Sequence, residues 1–178
     1  MVPFVTRKKI ITFFLISLFL FGIASILFHN VIILEITNYE NGSTLYRKQV
    51  PPGYSFATLI RHSVHLTPVY EYYRIDENGR IILESTKLQD LGWGVPSTFT
   101  EPCRFEGGFL IIEDFKKPLD FIPFRVSYIA QPHLLLDGGK RNVDLKCVVN
   151  DEERIDISAD KVPLWKVLIR GEVDVLPK

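Results

Sequence analysis

The fold class is decided by residues 69–87, which read VYEYYRIDENGRIILESTK. Two runs rich in β-branched and aromatic residues, 69–75 and 80–87, flank the sequence Asp-Glu-Asn-Gly at 76–79. Asn-Gly adopts the positive φ angles of a tight hairpin turn at little cost, so this stretch predicts two antiparallel strands.

Two further hairpins are predicted from the same kind of pattern. One joins the apolar run 31–36 to 44–50 through a turn that contains Glu-Asn-Gly, and the other joins 133–136 to 143–149 through Asp-Gly-Gly-Lys. Additional strands are predicted at 54–64, 109–113, 121–129, 165–169 and 172–176. No window of about 11 residues after residue 30 keeps a helical period. The prediction for residues 30–178 is therefore a single all-β domain, either a β-sandwich or an open barrel.

The N-terminal part differs from the rest. Residues 10–28 form an uncharged, mostly apolar run that spans roughly 28 Å as a helix, which is close to the thickness of a bilayer core. The basic residues Arg7, Lys8 and Lys9 precede it directly, and positive charge next to a span stays on the cytoplasmic side. The sequence thus predicts a cytoplasmic N-terminus (1–9), a transmembrane signal anchor (10–28) and an extracytoplasmic domain (30–178). Small residues at Gly22 and Ala24 leave a cleaved signal peptide as the alternative.

The charge balance excludes some classes of partner. The 178 residues carry 21 basic and 21 acidic side chains, and the mean hydropathy is +0.13. All basic residues of the first 29 lie at 7–9, so the predicted extracytoplasmic domain is weakly acidic. A nucleic-acid partner is not predicted, because such proteins carry a basic excess or patch. The membrane is the predicted partner of residues 10–28, and the oligomeric state stays open.

Residues 61–75, RHSVHLTPVYEYYRI, contain the residue types of a hydrolytic triad in His62, Ser63 and Glu71. Neighbouring residues of a strand point to opposite faces, so the triad geometry fails without a kink and no catalytic residue is predicted. The alternatives are a structural polar cluster and a ligand-binding site that also uses Arg61 and Arg74. No metal-ligand motif occurs, and neither a metal nor a cofactor is predicted.

Other features have two interpretations each. Six aromatic side chains could line a groove for a ligand or peptide or could pack in the core: Tyr54, Tyr70, Tyr72, Tyr73, Trp93 and Trp165. Cys103 and Cys147 could form a disulfide in an oxidising compartment or remain buried thiols. A structured loop is predicted at Gly92, Trp93, Gly94 and Pro96; it lacks the Lys-Ser/Thr of a phosphate-binding loop.

The motifs within residues 62–96 resemble those of the family called domain of unknown function 1850, and the resemblance extends over roughly residues 32–176. The resemblance lies in a His-Ser-Val stretch, a Thr-Pro-Val with a following Glu, and a Gly-x-Gly-x-Pro loop: His62, Ser63, Val64, Thr67, Pro68, Val69, Glu71, Gly92, Gly94 and Pro96. It implies a small exported or membrane-anchored protein that is an accessory to a solute transporter of the tripartite (TRAP) class, TAXI type.

The predicted function is accordingly a non-enzymatic accessory or binding module at the cell membrane, with possible transporter subunits as partners. One alternative is a free-standing binding domain for a small anionic solute, recognised by Arg61, His62 and Arg74. A hydrolase that uses His62, Ser63 and Glu71 is the third hypothesis.

Overall fold

The structure is a computed structural model that describes residues 7–62, 65–89 and 100–177. It consists of one N-terminal apolar helix followed by a mostly β domain, with 48% of the residues in strands. The helices are α1 (Arg7–Leu27) and α2 (Leu164–Arg170). The strands are β1 (Asn30–Asn38), β2 (Thr44–Val50), β3 (Ser55–Arg61), β4 (Pro68–Ile75), β5 (Ile81–Leu88), β6 (Cys103–Glu106), β7 (Phe109–Ile112), β8 (Lys117–Leu119), β9 (Phe121–Arg125), β10 (His133–Leu136), β11 (Arg141–Asp144), β12 (Arg154–Pro163) and β13 (Val173–Asp174).

The strands form two antiparallel sheets. The first, sheet A, has the order β13-β2-β1-β12-β9, and the second, sheet B, has the order β11-β10-β3-β4-β5-β7-β6 with β8 beside β5. The sheets share one hydrophobic core, to which sheet A contributes Leu34 and Ile157 and sheet B contributes Phe56, Ile75 and Leu134. The all-β prediction is confirmed as two sheets that bury one face each against a common core, not as a closed barrel.

All three predicted hairpins are present. Strand β4 pairs with β5, β1 with β2, and β10 with β11, each in antiparallel register. In the β4–β5 turn, the Asp76 carboxylate accepts hydrogen bonds from the backbone N–H groups of Asn78 and Arg80, each at 2.9 Å. Gly79 closes this turn with a φ of +78°. Turn chemistry that is local in sequence therefore folds as predicted.

Four strand predictions need correction. The strand predicted at 121–129 ends at Arg125, and a short 3₁₀ turn follows at Tyr128–Ala130. Residues 165–169 are predicted as a strand but lie in the helix α2. Val167 is the buried residue of this helix, so the apolar residues of the segment do not alternate between two faces of a sheet. The strand predicted at 54–64 ends at Arg61, because the backbone turns: His62 N donates to Thr67 O at 2.8 Å, and Leu66 has a φ of +54°. The strand predicted at 143–149 ends at Asp144 and continues as a short 3₁₀ turn.

The strand β12 was not predicted, although its pattern is regular. Ile155, Ile157 and Ala159 are buried while Asp156 and Ser158 between them are half-buried, which is the alternation of a strand with one face in the core. Because β12 lies between β1 and β9, it is an interior strand of sheet A.

Helix α1 contains an 18-residue stretch, Ile10–Leu27, that is long and apolar enough to cross a membrane, and none of it is buried. The chain enters the domain directly afterwards: His29 O accepts a hydrogen bond from Leu164 N at 2.8 Å, and β1 begins at Asn30. The start of the domain is thus held against the first residue of α2.

The tip of the β4–β5 hairpin packs on sheet A and gives a first prediction. A Cβ atom on Gly79 would lie 2.8 Å from the backbone N of Lys161 in β12, whereas a Cβ on Gly53, which also has a positive φ (+80°), would meet nothing within 4 Å. Gly53→Ala should cost only the left-handed backbone strain of about 1–2 kcal/mol. We expect Gly79→Ala to lower the free energy of unfolding by about 1–3 kcal/mol more than that, because the turn must move away from β12. Chemical denaturation of the full-length protein in detergent measures both; equal losses would contradict the proposed packing.

A second contact ties the C-terminal segment to sheet B. Arg141 of β11 donates two hydrogen bonds to the Asp174 carboxylate, at 2.7 and 2.9 Å, and one to Leu176 O at 2.6 Å. The hydrogen bonds from Arg141 hold the pKa of Asp174 below its ordinary value. Because β13 belongs to sheet A, this bidentate pair joins the edges of the two sheets.

The lowered pKa of Asp174 makes this contact dependent on pH. A carboxyl whose pKa is lower in the folded state stabilises the fold above its unfolded pKa of about 3.9, and the contribution fades as the pH falls through the folded pKa. Asp174 is 42% exposed, so we expect Asp174→Asn to cost no more than about 1 kcal/mol at neutral pH. The difference from the unsubstituted protein should shrink near pH 3, as measured by denaturation at both pH values. The control Asp114→Asn, in an exposed pair with Lys116, should have an effect of less than about 0.5 kcal/mol at either pH. A loss for Asp174→Asn that is independent of pH would contradict the assignment.

Candidate functional site

The alternation of side chains along β4 sorts the residues of this region into two sets. Tyr73 and Ile75 are buried in the core between the sheets. Tyr70, Tyr72 and Arg74 therefore point to the opposite, outer face of sheet B. The site residues predicted from the sequence divide in the same way.

Glu71 lies on the inner face. It stands opposite Thr58 of β3, and its Oε2 atom accepts a hydrogen bond from the hydroxyl of Tyr73 at 2.7 Å. Burial raises the pKa of Tyr73, and the Glu71 carboxylate raises it further, so the phenol stays protonated as a donor. Thr58 is 3% exposed. This part of the predicted cluster is a polar contact of the sheet interior.

Arg61 and Arg74 lie on the outer face but far from each other. Arg61 pairs in register with Pro68 at the start of β4, and Arg74 is six residues further along that strand, or roughly 20 Å away. Arg74 Nε also forms an ion pair with Glu84 Oε1 at 2.5 Å. The two guanidinium groups do not converge on one small anion.

His62 lies in the turn after β3, where its ring centroid is 5.5 Å from that of His65. Glu71 stands opposite Thr58, four residues before His62, so the sheet register does not bring Glu71 beside His62. Ser63 of the predicted cluster lies outside the described residues, as do all four residues of the predicted loop: Gly92, Trp93, Gly94 and Pro96.

The two cysteines are free and exposed. Cys103 is in β6 at one edge of sheet B, and Cys147 follows β11 at the other edge. Strands are about 4.8 Å apart, so the six spacings between these edges amount to about 29 Å, whereas a disulfide needs Cα atoms within about 7 Å. The disulfide prediction and the alternative of two buried thiols are both wrong in this structure.

The outer face of sheet B carries a compact group of rings that we call the aromatic face, made up of Tyr70, Tyr72, Lys87 and Phe109. The rings of Tyr70 and Tyr72 stack at 6.2 Å, and Phe109 meets Tyr70 edge-on at 6.4 Å. The Lys87 ammonium lies over the Phe109 ring, 4.3 Å from its centroid, and 5.9 Å from that of Tyr70. Three aromatic side chains and one cation from three adjacent strands thus form a continuous surface.

A shallow, open depression of about 490 Å³ lies beside these rings, between β5 and the β6–β7 hairpin. Arg104 lines it, but its guanidinium donates to Glu113 at 2.7 Å and to Glu106 at 3.2 Å. Lys87 forms no ion pair with any residue in the described ranges. The lining of the depression therefore combines aromatic and apolar side chains with two basic and two acidic ones, and Lys87 is the cation that carboxylates of the described chain leave unpaired.

Sequence reasoning found only half of this surface. The alternation of β4 places Tyr70 and Tyr72 on one face, but Tyr73 belongs to the core. Lys87 and Phe109 join them only through the pairing of β5 with both β4 and β7, with Lys87 opposite Tyr70 and Ile111. No local signal identifies those partners.

Three other depressions in the described chain, of about 300, 160 and 30 Å³, are smaller than the one beside the rings. A cavity of about 30 Å³ between α2 and sheet A, lined by Arg47 and Arg170 among others, has the size of a single water and is too small for a solute. Within residues 7–62, 65–89 and 100–177, no three His, Cys, Asp or Glu side chains are grouped as a metal would require. The aromatic face is the better candidate.

Comparison with known proteins places this surface within a shared domain. Residues 56–143 match the model of a family described as "Domain of unknown function (DUF1850)". This range runs from β3 into β11 and includes the whole aromatic face. No curated protein and no solved structure matches the chain significantly.

Proposed function

From the premise that the chain belongs to the DUF1850 family, we propose that it is a binding module held at the cell membrane by α1. Its domain lies on the extracytoplasmic side and docks, through the aromatic face, onto a protein subunit of a solute transporter. The family resemblance supports the transporter as the partner. The aromatic face is the observation that carries the docking role.

The membrane part of the proposal rests on α1. Its Ile10–Leu27 stretch has the length and apolar character of a span, and its side chains are exposed rather than packed on the domain. Leaving such a surface in water is costly, because each buried CH₂ group is worth about 0.8 kcal/mol. Arg7, Lys8 and Lys9 favour a cytoplasmic N-terminus and an exported domain.

The chemistry of the aromatic face favours a protein over a small anion. Tyrosine and arginine dominate the energetics of protein interfaces, and interface centres are poor in unpaired charge. The aromatic face has three rings and a single charged residue, Lys87, and the neighbouring Arg104 is already paired with Glu106 and Glu113. An open depression without an enclosing wall suits an extended segment of a partner better than a solute that must be desolvated on all sides. The partner segment that fits best has apolar side chains for the rings and one carboxylate for Lys87.

Photocrosslinking in the native cell tests this docking. With a photoreactive phenylalanine analogue in place of Tyr72, the full-length chain should crosslink to a transporter subunit, identified by mass spectrometry. Tyr72→Ala combined with Lys87→Ala should reduce solute uptake about as much as deletion of the gene, because the loss of two central interface residues costs several kcal/mol. The matched control is Tyr39→Ala. Tyr39 is 59% exposed and also lies against a cation, Arg154, but near sheet A. Crosslinks to no transporter subunit, together with unchanged uptake after deletion, would refute the proposal.

A free-standing binding domain for a small anionic solute is the second candidate, favoured by the Lys87 ammonium beside the rings, which pairs with no carboxylate of the described residues. The structure directs the test to Lys87 instead of Arg61 and Arg74, which lie far apart. Thermal-shift measurements with a panel of carboxylates should then give a rise in Tm that Lys87→Gln abolishes and that Arg61→Gln leaves in place. A ligand present at 100 times its Kd stabilises the folded state by about 2.7 kcal/mol, so the binding of a true ligand should raise the Tm measurably. Equal shifts in both variants would exclude this site.

A further inference from the structure

We propose that the outward side of α2, formed by Trp165, Leu168 and Ile169, lies in the headgroup region of the membrane that α1 enters. We call these three residues the α2 face. The inference rests on the proposed membrane anchor and adds a second contact, which fixes how the domain is oriented over the bilayer.

The backbone places α2 at the point where the membrane helix ends. Helix α1 ends at Leu27, and two residues later His29 O accepts a hydrogen bond from Leu164 N, the first residue of α2, at 2.8 Å. The two helices also contact each other directly. If α1 crosses the bilayer, α2 is therefore at the level where the chain leaves the hydrocarbon core.

The side chains of α2 divide between the domain and the outside. Val167 is buried in a small cluster with Val31 and Ile33 of β1. Leu168 is 64% exposed and Ile169 is 77% exposed, which is unusual for large apolar side chains beside a folded domain. With 3.6 residues per turn, Trp165 lies on the same side as Leu168 and Ile169, at spacings of three and four residues. Tryptophan is enriched at membrane–water interfaces. Trp165 is half-buried, and its indole Nε1 is buried without a hydrogen-bond partner among the described residues, so it offers ring surface rather than a hydrogen bond to the headgroups.

The charges around the α2 face suit a phospholipid surface. Lys166 and Arg170 are exposed, one turn apart, and the Lys166 ammonium is 5.8 Å from the centroid of the Trp165 ring. Both can extend to lipid phosphates while their stems cover apolar surface. Asp160 lines the same cavity as Lys166 and Arg170, and Glu172 follows the helix, so the two basic and two acidic side chains balance. The apolar contact should thus contribute most of the free energy of membrane binding by the α2 face, and binding should not require anionic lipids.

A membrane is a better occupant of the α2 face than a second protein. A helix of seven residues offers far less than the roughly 800 Å² per partner of a stable protein interface. The same few side chains are sufficient for a membrane contact, because α1 already holds the domain at the bilayer. Interfacial helices bury their apolar side only about 5–10 Å into the headgroup boundary.

Quenching of Trp165 fluorescence by brominated lipids tests the inference. The full-length chain carrying Trp93→Phe, so that Trp165 is its only tryptophan, is reconstituted into phosphatidylcholine nanodiscs whose acyl chains carry bromine either near the headgroup or near the chain end. Bromine near the headgroup should remove about half of the emission and bromine near the chain end much less, because the depth is shallow. Adding phosphatidylglycerol should change the quenching little.

Two variants in that background provide the comparison. Leu168→Ser with Ile169→Ser should reduce the quenching at least about twofold, because the apolar contact is lost. Phe105→Ser, which removes a 78% exposed apolar side chain at the edge of sheet B, should leave it unchanged. Circular dichroism of each variant controls for folding, and a double variant that does not fold is replaced by Ile169→Ser alone.

The outcomes separate this inference from the proposed function. Alkaline carbonate extraction of native membranes first establishes whether α1 anchors the chain; a chain that is extracted refutes the anchor and the inference together. An anchored chain whose Trp165 is not quenched refutes the inference alone. Quenching that appears only when the nanodiscs hold one chain each, with crosslinks between copies at position 168 when they hold more, would show that a second copy covers the α2 face and would also refute it.

Discussion

The strict alternation of side chains along β4 is the constraint on which the rest of the structure depends. Because Tyr73 and Ile75 fill the core shared with sheet A, Tyr70 and Tyr72 must lie on the opposite surface. A shift of register by one residue would exchange the two sets, placing Arg74 in the core and exposing Ile75. The core therefore determines the composition of the outer surface, and the aromatic face results from the packing on its other side.

The hairpins were predictable from the sequence because their turns are specified by neighbouring residues. The Asp76 carboxylate caps its own turn, and Gly79 supplies the positive φ that this turn requires. The ends of the strands were less predictable: the turn after Arg61 uses a positive φ at Leu66, a residue type that gives no sequence signal for it. Helix α2 was predicted as a strand because an apolar segment of seven residues is too short to show a clear period.

The candidate site was less accessible to sequence reasoning because it is assembled across strands. The motif that carries the family resemblance provides Glu71 to the interior, where it binds Tyr73, and provides Arg61 and Arg74 to separate parts of the exterior. Lys87 reaches Phe109 through the pairing of β5 with β7. Tertiary packing fixes the register between strands that are distant in sequence. The residues that form the sequence motif are therefore not the residues that lie together on the aromatic face.

The pairing of β1 with β12 has a consequence for the order of folding. Strand β1 pairs with the nearby β2 on one side, but on its other side Asn30 stands opposite Pro163, so the second neighbour of β1 comes only near the end of the chain. Closing so long a loop is slow and is entropically unfavourable before its contacts form. The β4–β5 hairpin of sheet B can form as soon as its own residues are available. Sheet A can be completed only when nearly the whole polypeptide is available, because β12 belongs to it. If the domain is exported behind α1, β1 spends the whole of translocation unpaired on one side while already tethered to the bilayer. A strand as apolar as Val31–Ile36 is then exposed to aggregation during that interval, and the nearby membrane surface limits how many other chains can reach it.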